Sequence, residues 1–285
     1  MRAKENIELA MAGTGAARWG CASYDSLAPL MDEKRKERAS GLCPSPGGVI
    51  VAAFPYYAGR DEGNLSLYAR AEDYHKVLVS RLERAASVLS ELYPANRFVP
   101  LADSSPLPEK AAALLAGIGI AGMNSLIYCD RYGSFVFLGC ILTDLTFRNT
   151  CSGRSHCTGC LICVRSCPTG ALTASGEQVI FEPMRCISAV TQKKGTLTSF
   201  EQQALRDGKS AWGCDICQLV CPMNSAVDKT SIDAFSGGSV PILTSLNMEE
   251  IEPLSEESFK SLYGDRAFAW RGKAVLERNL RILKE

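Results

Sequence analysis

The sequence predicts an α+β protein whose character changes part-way along the chain. Three observations carry that prediction. Up to about residue 150, short apolar runs alternate with stretches of helical periodicity. From residue 151 onward this regularity gives way to crowded cysteines joined by short, turn-rich connections. Apolar residues make up 46% of the 285-residue chain, enough to bury a core, so global disorder is excluded.

The first part reads as a mixed α/β domain over residues 1–150. "GVIVAAFPYY" (48–57) is a continuous apolar run, the pattern of a buried strand. "DYHKVLVSRLERAASVLSELY" (73–93) has apolar residues at 74, 77, 78, 82, 85, 88, 89 and 92, the spacing of one helix face. "RFVPLAD" (97–103) reads as a strand. "SPLPEKAAALLAG" (105–117) reads as a helix with prolines in its first turn and Gly117 near its end. "NSLIYC" and "SFVFLGCIL" flank "DRYG" and predict a hairpin. Helices and strands mixed in this way suggest layers around a sheet.

Bulk properties exclude several classes. Formal charge balances, 31 basic against 31 acidic residues, so net charge names no partner. The first twenty residues contain no long apolar stretch and do not read as a signal peptide. "VIVAAF" (49–54) and "FVFLGCIL" (135–142) are too short to span a bilayer. A soluble, cytoplasmic protein is expected, with no membrane partner. In such a reducing compartment, thirteen cysteines argue for metal or redox use rather than disulfides. With only two histidines, His75 and His156, mixed Cys/His zinc sites have little to work with.

Residues 151–225 hold the chemistry. Cys157, Cys160, Cys163 and Cys167 have the spacing C-x2-C-x2-C-x3-C-P, the bacterial ferredoxin run. In that pattern three thiolates wrap one 4Fe–4S cube and the fourth ligates its partner cube. Eight ligands are therefore needed. "GCDICQLVCP" (213–222) supplies Cys214, Cys217 and Cys221, and Cys186 in "RCISAV" is the best eighth. The ferredoxin rule assigns Cys157, Cys160, Cys163 and Cys221 to one cluster and Cys167, Cys186, Cys214 and Cys217 to the other. Spacing alone also admits uncrossed ligation. Paired zinc sites would use eight cysteines too, but they favour C-x2-C knuckles separated by longer gaps. Cys21, Cys43, Cys129, Cys140 and Cys151 lack ligand spacing and read mostly as buried reduced thiols.

Weaker signals need a plain reading beside a sharp one. "GIGIAG" (117–122) matches G-x-G-x-x-G but follows a helix, the wrong context for a dinucleotide turn, so it reads as close backbone packing. Asp103 is by local pattern a turn or N-cap residue, and by position a general acid where a strand ends and a helix begins. His75 lies on the helical pattern, and His156 reads as a loop residue. Residues 226–285 read as a polar, loop-like stretch to about 264, then an amphipathic helix over 268–285. That helix carries Phe268, Val275, Leu276, Leu280 and Leu283 on one side and Arg271, Lys273, Arg278, Arg281 and Lys284 on the other. Its basic side suits nucleic acid or simple solvation. Lys193 and Lys194 add a small basic spot.

Taken together, six stretches resemble the epoxyqueuosine reductase family. They are "LYARAEDYH" (67–75), residues 102–111 with Asp103, Ser104, Ser105 and Pro106 in a row, "YGSFVFLGCILTDL" (132–145), "CTGCLICVRSCPTGAL" (157–172), "RCIS" (185–188) and "GCDICQLVCPMN" (213–224). The resemblance implies a cobalamin-binding domain followed by a two-cluster ferredoxin-like module. It implies reduction of epoxyqueuosine in tRNA to queuosine, with single electrons passing through the clusters to cobalamin. An external one-electron donor such as a ferredoxin or flavodoxin, tRNA as partner and a monomeric state are expected with it. The family's proton donor, the aspartate of a "DSAP" motif, matches Asp103, here followed by two serines and a proline. Burial beside the corrin is expected to raise its pKa. By the same matching, Asp103, Ile127, Leu138, Ser188 and Asp215 fall where the family contacts cobalamin. No D-x-H-x-x-G pattern is present, so a histidine ligand to cobalt is not expected.

The chain also departs from the family. Met123 replaces the lysine of a "GK" turn, and residues 32–48 are compressed and lack a "YM" motif. Many members continue into helical repeats that help grip tRNA. Two rival readings follow, a related reductase of another substrate and a non-catalytic two-cluster electron carrier.

Overall fold

The computed structural model describes residues 2–151, 157–176 and 178–285, with the backbone alone at Arg2. His156 lies outside the described residues. The chain forms two compact units. The first comprises Met1–Pro55, Tyr74–Gly122 and Leu126–Cys157; the second comprises Tyr56–Asp73, Met123–Ser125 and Thr158–Glu285.

The first unit is built on an antiparallel sheet of four strands: β1 (Arg18–Ser23), β2 (Gly48–Pro55), β3 (Phe98–Ala102) and β6 (Val136–Thr143), in the order β1-β2-β6-β3. Two short strands, β4 (Ile120–Ala121) and β5 (Ile127–Tyr128), pair separately. The helices are α1 (Arg2–Met11), α2 (Tyr24–Leu27), α3 (Glu33–Leu42), α4 (Tyr74–Leu92) and α5 (Glu109–Leu115).

Strand β2 is buried along its whole length because helices cover both faces of the sheet. On one face Val49, Val51, Ala53, Cys140 and Leu142 pack with Ala112, Ala113 and Ala116 of α5. On the other, α4 lies over Gly139, where a Cβ would come within 2.8 Å of Leu82 and 3.3 Å of Phe54. Pro100 is tolerated because β3 is an edge strand, where a missing N–H need not break a ladder.

The hairpin expected around "DRYG" does not form. A turn is present, with Cys129 donating to Gly133 O at 2.8 Å, but β5 pairs with β4. Strand β6 already has β2 on one edge and β3 on the other, so neither edge is left for the segment before the turn. The glycines of "GIGIAG" serve close packing, as expected: a Cβ on Gly119 would lie 2.0 Å from Tyr128 O.

The second unit consists of short elements. They are α6 (Ile162–Arg165), the hairpin β7 (Leu172–Ser175) and β8 (Gln178–Phe181), α7 (Ile187–Gln192), α8 (Ser199–Gly208), α9 (Ile216–Leu219), α10 (Asp233–Ser236), α11 (Met248–Ile251), α12 (Glu256–Tyr263) and α13 (Lys273–Lys284). Thr198 and Glu201 form a reciprocal capping box that starts α8. Helices α7, α8 and α13 meet around Val190, Leu197, Leu205 and Ile282. Asn279, fully buried on α13, donates to Thr191 O at 2.8 Å and Ala211 O at 2.9 Å and so ties the three together.

Two sequence expectations need correction here. Residues 225–264 are not loop throughout, since α10, α11 and α12 lie there. Asn247 and Ser255 cap the last two, and each helix buries one or two anchors such as Phe235, Ile251 and Phe259, too few to show a period. The final helix is shorter than 268–285. Ala267–Arg271 is a 3-10 turn, and Gly272, at φ +85°, breaks it from α13. Among the described residues, no helix is long and apolar enough to cross a membrane.

Candidate functional site

Asp103 sits directly after β3 in the left-handed region, at φ +58°. The Ser104 N–H donates to Ala102 O at 2.7 Å and closes a three-residue turn around it. Such backbone in a non-glycine residue costs on the order of 1 kcal/mol and persists only where neighbours hold it. Helix α3 supplies the hold. Arg35 donates through Nε to Pro106 O and through Nη2 to Leu107 O, both at 2.7 Å. Arg38 donates to Ser104 O at 3.0 Å.

The Asp103 carboxylate points outward, 59% exposed, with Oδ2 3.1 Å from His75 Nε2. The His75 ring stacks on Tyr74 at 4.0 Å, and Tyr74 stacks on Phe137 at 4.2 Å, which fixes the imidazole. The hydrogen bond from His75 holds the Asp103 carboxyl below its ordinary range. Burial opposes it, while the charge of His75 and a bond from Tyr74 reinforce it. Within the chain itself, a basic partner outweighs desolvation at Asp103.

The neighbour that does rise is Glu109, the first residue of α5. Burial, then the charge of Asp103, push its carboxyl up to about 7, against pulls from the Asp103 N–H, Arg35 and His75. Its Oε1 is sealed from solvent without a hydrogen-bond partner. The sequence reading missed Glu109, Arg35 and Arg38. A glutamate at a helix start looks like a dipole partner, and arginines on a charged helix look like surface.

The positions matched to cobalamin contacts fall in both units. In the first, Ile127 is buried in β5 and half-buried Leu138 packs against the same apolar cluster. The last β3–β6 pair is Ala102 with Gly139, so Leu138 lies one step further along the register, level with Asp103. Half-buried Leu101, Val136 and Leu138 thus leave an apolar shelf beside an outward carboxylate. In the second unit, the Ser188 carbonyl accepts from Thr191 Oγ1 and Gln192 Nε2. Asp215 is an internal brace: its carboxylate accepts from Ser66 Oγ at 2.6 Å and from the Leu67 N–H at 2.7 Å. Burial pushes its carboxyl up despite those bonds and the nearby Arg70.

Five cysteines of the second unit lie close enough to influence one another. Burial pushes the Cys214 thiol up to about 12, with further increases from Asp215, Cys186 and Cys167. Burial likewise pushes Cys217 to about 12, joined by Cys214, Cys186, Cys163 and Cys167. Cys167 differs. Burial raises it, but bonds from Thr169 Oγ1 and from the N–H groups of Leu172, Thr169 and Ala171 outweigh that and bring it down. A thiolate ringed by N–H donors suits a cluster ligand. Among the described residues no three such side chains converge as ligands of a single ion do. A cubane holds its thiolates further apart than one zinc ion does.

Of the other expected ligands in the second unit, Cys160 is exposed, Cys163 is buried on α6 and Cys221 is half-buried. Left-handed Gly159 and Leu161 let the chain wind tightly between Cys160 and Cys163. Cys157 ends the first unit, its N–H donating to Ala121 O at 3.0 Å. Among the cysteines outside the ligand spacing, Cys43, Cys129 and Cys140 are buried, and Cys21 and Cys151 are half-buried. Burial raises Cys21 to about 12 and Cys129 to about 11, which makes them unreactive.

The C-terminal helix is less free than its sequence suggests. Arg278 donates to Lys193 O and Gly195 O, Lys273 pairs with Glu277 and Lys284 with Glu249. Lys194, Arg271 and Arg281 line a cavity of about 640 Å³ between the 194–197 turn and α13. Its one carboxylate, Glu285, pairs with Arg206. Arg271 stacks on the exposed Trp270 at 3.6 Å.

Comparison with known proteins bears on both parts of the chain. Residues 37–104 match the family described as epoxyqueuosine reductase QueG, DUF1730. Residues 156–224 match the 4Fe-4S double cluster binding domain. The epoxyqueuosine reductase of Bacillus anthracis is 34% identical over 267 residues, covering 90% of this chain and 68% of that protein. The Listeria monocytogenes protein of the same name is 33% identical over 84% of this chain and 64% of its own length. The chain thus spans about two thirds of those relatives. A Synechocystis epoxyqueuosine reductase, 29% identical, is covered over 91% of its length. Among solved structures, epoxyqueuosine reductase from Streptococcus thermophilus superposes with a TM-score of 0.79 at 26% identity, over 99% of this chain and 81% of that one.

Proposed function

The chain belongs to the epoxyqueuosine reductase family, and from that premise we propose that it reduces the epoxide of epoxyqueuosine in a tRNA to the alkene of queuosine. The reaction takes up two electrons and two protons and releases the epoxide oxygen as water. The observation that carries this reading is Asp103: an outward carboxylate on a braced, left-handed turn, beside an apolar shelf, in a chain that also holds the cysteine quartet. An electron carrier has no use for such a turn.

Cys167, Cys186, Cys214 and Cys217 hold one 4Fe–4S cluster in this reading, and Cys157, Cys160, Cys163 and Cys221 hold the other. Cys186 and Cys167 each act on both Cys214 and Cys217, which supports placing these four around one cluster. Cobalamin, when bound, supplies cobalt that accepts single electrons and acts on the epoxide carbon. The apolar shelf of Leu101, Val136 and Leu138 fits such a broad, largely apolar ring. Ile127, Leu138, Ser188 and Asp215 are its proposed contacts. Because the Asp215 side chain is spent on Ser66 and Leu67, its role is to fix the backbone between Cys214 and Cys217. Asp103 delivers a proton to the departing oxygen.

The cavity lined by Lys194, Arg271 and Arg281, with a stacked tryptophan at its edge, supports RNA as the partner, since phosphates select cations and bases select aromatic faces. A tRNA substrate places the enzyme in the cytoplasm, served by a ferredoxin- or flavodoxin-type donor. The deciding experiment reconstitutes the clusters anaerobically, adds cobalamin and reductant, and supplies tRNA bearing epoxyqueuosine. Queuosine should form. Cobalamin binding without turnover would favour a different substrate, and no cobalamin binding would favour the electron carrier.

A further inference from the structure

Thr169 follows the Cys167–Pro168 corner that ends the first cysteine run. Its side chain is buried, 3% exposed, and its hydroxyl lies 3.6 Å from the Cys167 sulfur. Among the described residues that sulfur is the hydroxyl's only partner. A buried O–H is costly to leave unpaired, so its proton has one place to go. A cysteine that holds iron does so as a thiolate, without a proton of its own. With Cys167 as a ligand, the hydroxyl therefore donates and the sulfur accepts.

The position of Thr169 is fixed from a second ligand loop. Arg185, which precedes Cys186, donates through Nε to Thr169 O at 3.0 Å, and its guanidinium lies 5.3 Å from the centre of the Phe200 ring. The Glu182 N–H donates to Ala171 O at 2.8 Å and pins the far side of the same loop. The N–H groups of Leu172, Thr169 and Ala171 also favour a charged Cys167, whereas Cys214 is given one such bond, from the Ile216 N–H. Donors are thus concentrated on one sulfur of the quartet.

We infer that the Thr169 hydroxyl raises the reduction potential of the cluster held by Cys167, through its hydrogen bond to the ligand sulfur. The inference rests on the reading of Cys167 as a ligand of that cluster. When one electron from the external donor enters, the donor is oxidised and the cluster gains one negative charge, part of which falls on its sulfurs. A hydrogen bond to a more negative sulfur is stronger, so the reduced form gains more from Thr169 than the oxidised form does. No covalent bond is made or broken, and the proton stays on Oγ1. Thr169 acts through the sulfur and is not itself a ligand. Its hydroxyl has no contact with Cys157, Cys160, Cys163 or Cys221, so the effect belongs to one cluster of the two.

Thr169→Val replaces the hydroxyl with a methyl group of nearly the same shape. Reconstituted protein is poised anaerobically with dithionite and redox mediators, and each cluster is followed by electron paramagnetic resonance. One cluster should become about tenfold harder to reduce, a fall of about 59 mV for a one-electron couple, while the other is unchanged. Iron should stay at about eight per chain. Thr169→Ser keeps the hydroxyl and should restore the potential. Thr169→Ala should shift the same couple in the same direction, which separates loss of the hydroxyl from any effect of the added methyl. Unchanged potentials in both the valine and alanine variants, equal shifts of both clusters, or loss of a cluster from both variants would overturn the inference. A Cys167→Ala protein that still binds about eight irons would instead sink the assignment it rests on.

Discussion

The turn after β3 and the loop around Asp215 both set a carboxylate into a tight backbone bend, yet they do opposite things with it. At Asp103 the brace comes from outside, through Arg35 and Arg38, and the side chain is left pointing out. At Asp215 the side chain is itself the brace, tied to Ser66 and Leu67, and nothing of it is left over. A carboxylate that holds the backbone cannot also do chemistry on a substrate. The two units also differ in how they are held. The first presses apolar faces on a sheet, whereas in the second, short helices add polar ties to buried anchors such as Trp212, Phe235, Phe259 and Phe268.

The largest expected effect breaks the second unit and spares the first. Cys186→Ser should reduce iron from about eight to about four per chain and abolish turnover, while the far-ultraviolet signature of the sheet survives. Unchanged iron content would remove Cys186 as a ligand. Next comes the outward carboxylate. Asp103→Asn should lower turnover by about 100-fold or more, with denaturant stability changed by less than about 0.5 kcal/mol. Asp215→Asn should show the reverse pattern, a destabilisation of about 1–3 kcal/mol from a broken buried network.

A smaller effect separates the units by pH. Glu109 holds a proton in the folded chain that the unfolded chain releases between its ordinary value of 4.5 and about 7. Stability should therefore fall as pH rises through that window, by about 3 kcal/mol at most. Glu109→Gln should flatten the slope of the urea midpoint against pH, leaving the share that Asp215 contributes in the same direction. At Gly139 an added methyl meets the side chains of Leu82 and Phe54, so Gly139→Ala should cost about 1–3 kcal/mol. The smallest effect is on the surface. Arg281→Ala should weaken RNA binding severalfold and reduce its salt dependence by about one phosphate contact, with no change in fold.

Elements backed by a strong period were legible in the sequence. The helix over 73–93, the strands at 48–57 and 97–103, and the turn-bound glycines of 117–122 recur at nearly the expected bounds. The hairpin around "DRYG" was misread because local sequence announces a turn without saying which strand will use it. The short helices α10–α12 escaped because one or two buried anchors apiece leave no periodic trace.

The cysteine spacing fixed the chemistry without help, since a cluster ligand must be a thiolate and the intervals between thiolates are set by the chain that winds round the cube. From its place at the end of a strand, Asp103 was nameable only as a turn residue or a general acid, and the resemblance supplied the second. Its protonation was not nameable. That depends on His75 and Glu109, separated from it in sequence and brought against it by the folding of α4 and α5 onto the sheet. Charge and desolvation act through space, so only the tertiary structure decides which of the two carboxyls keeps the proton.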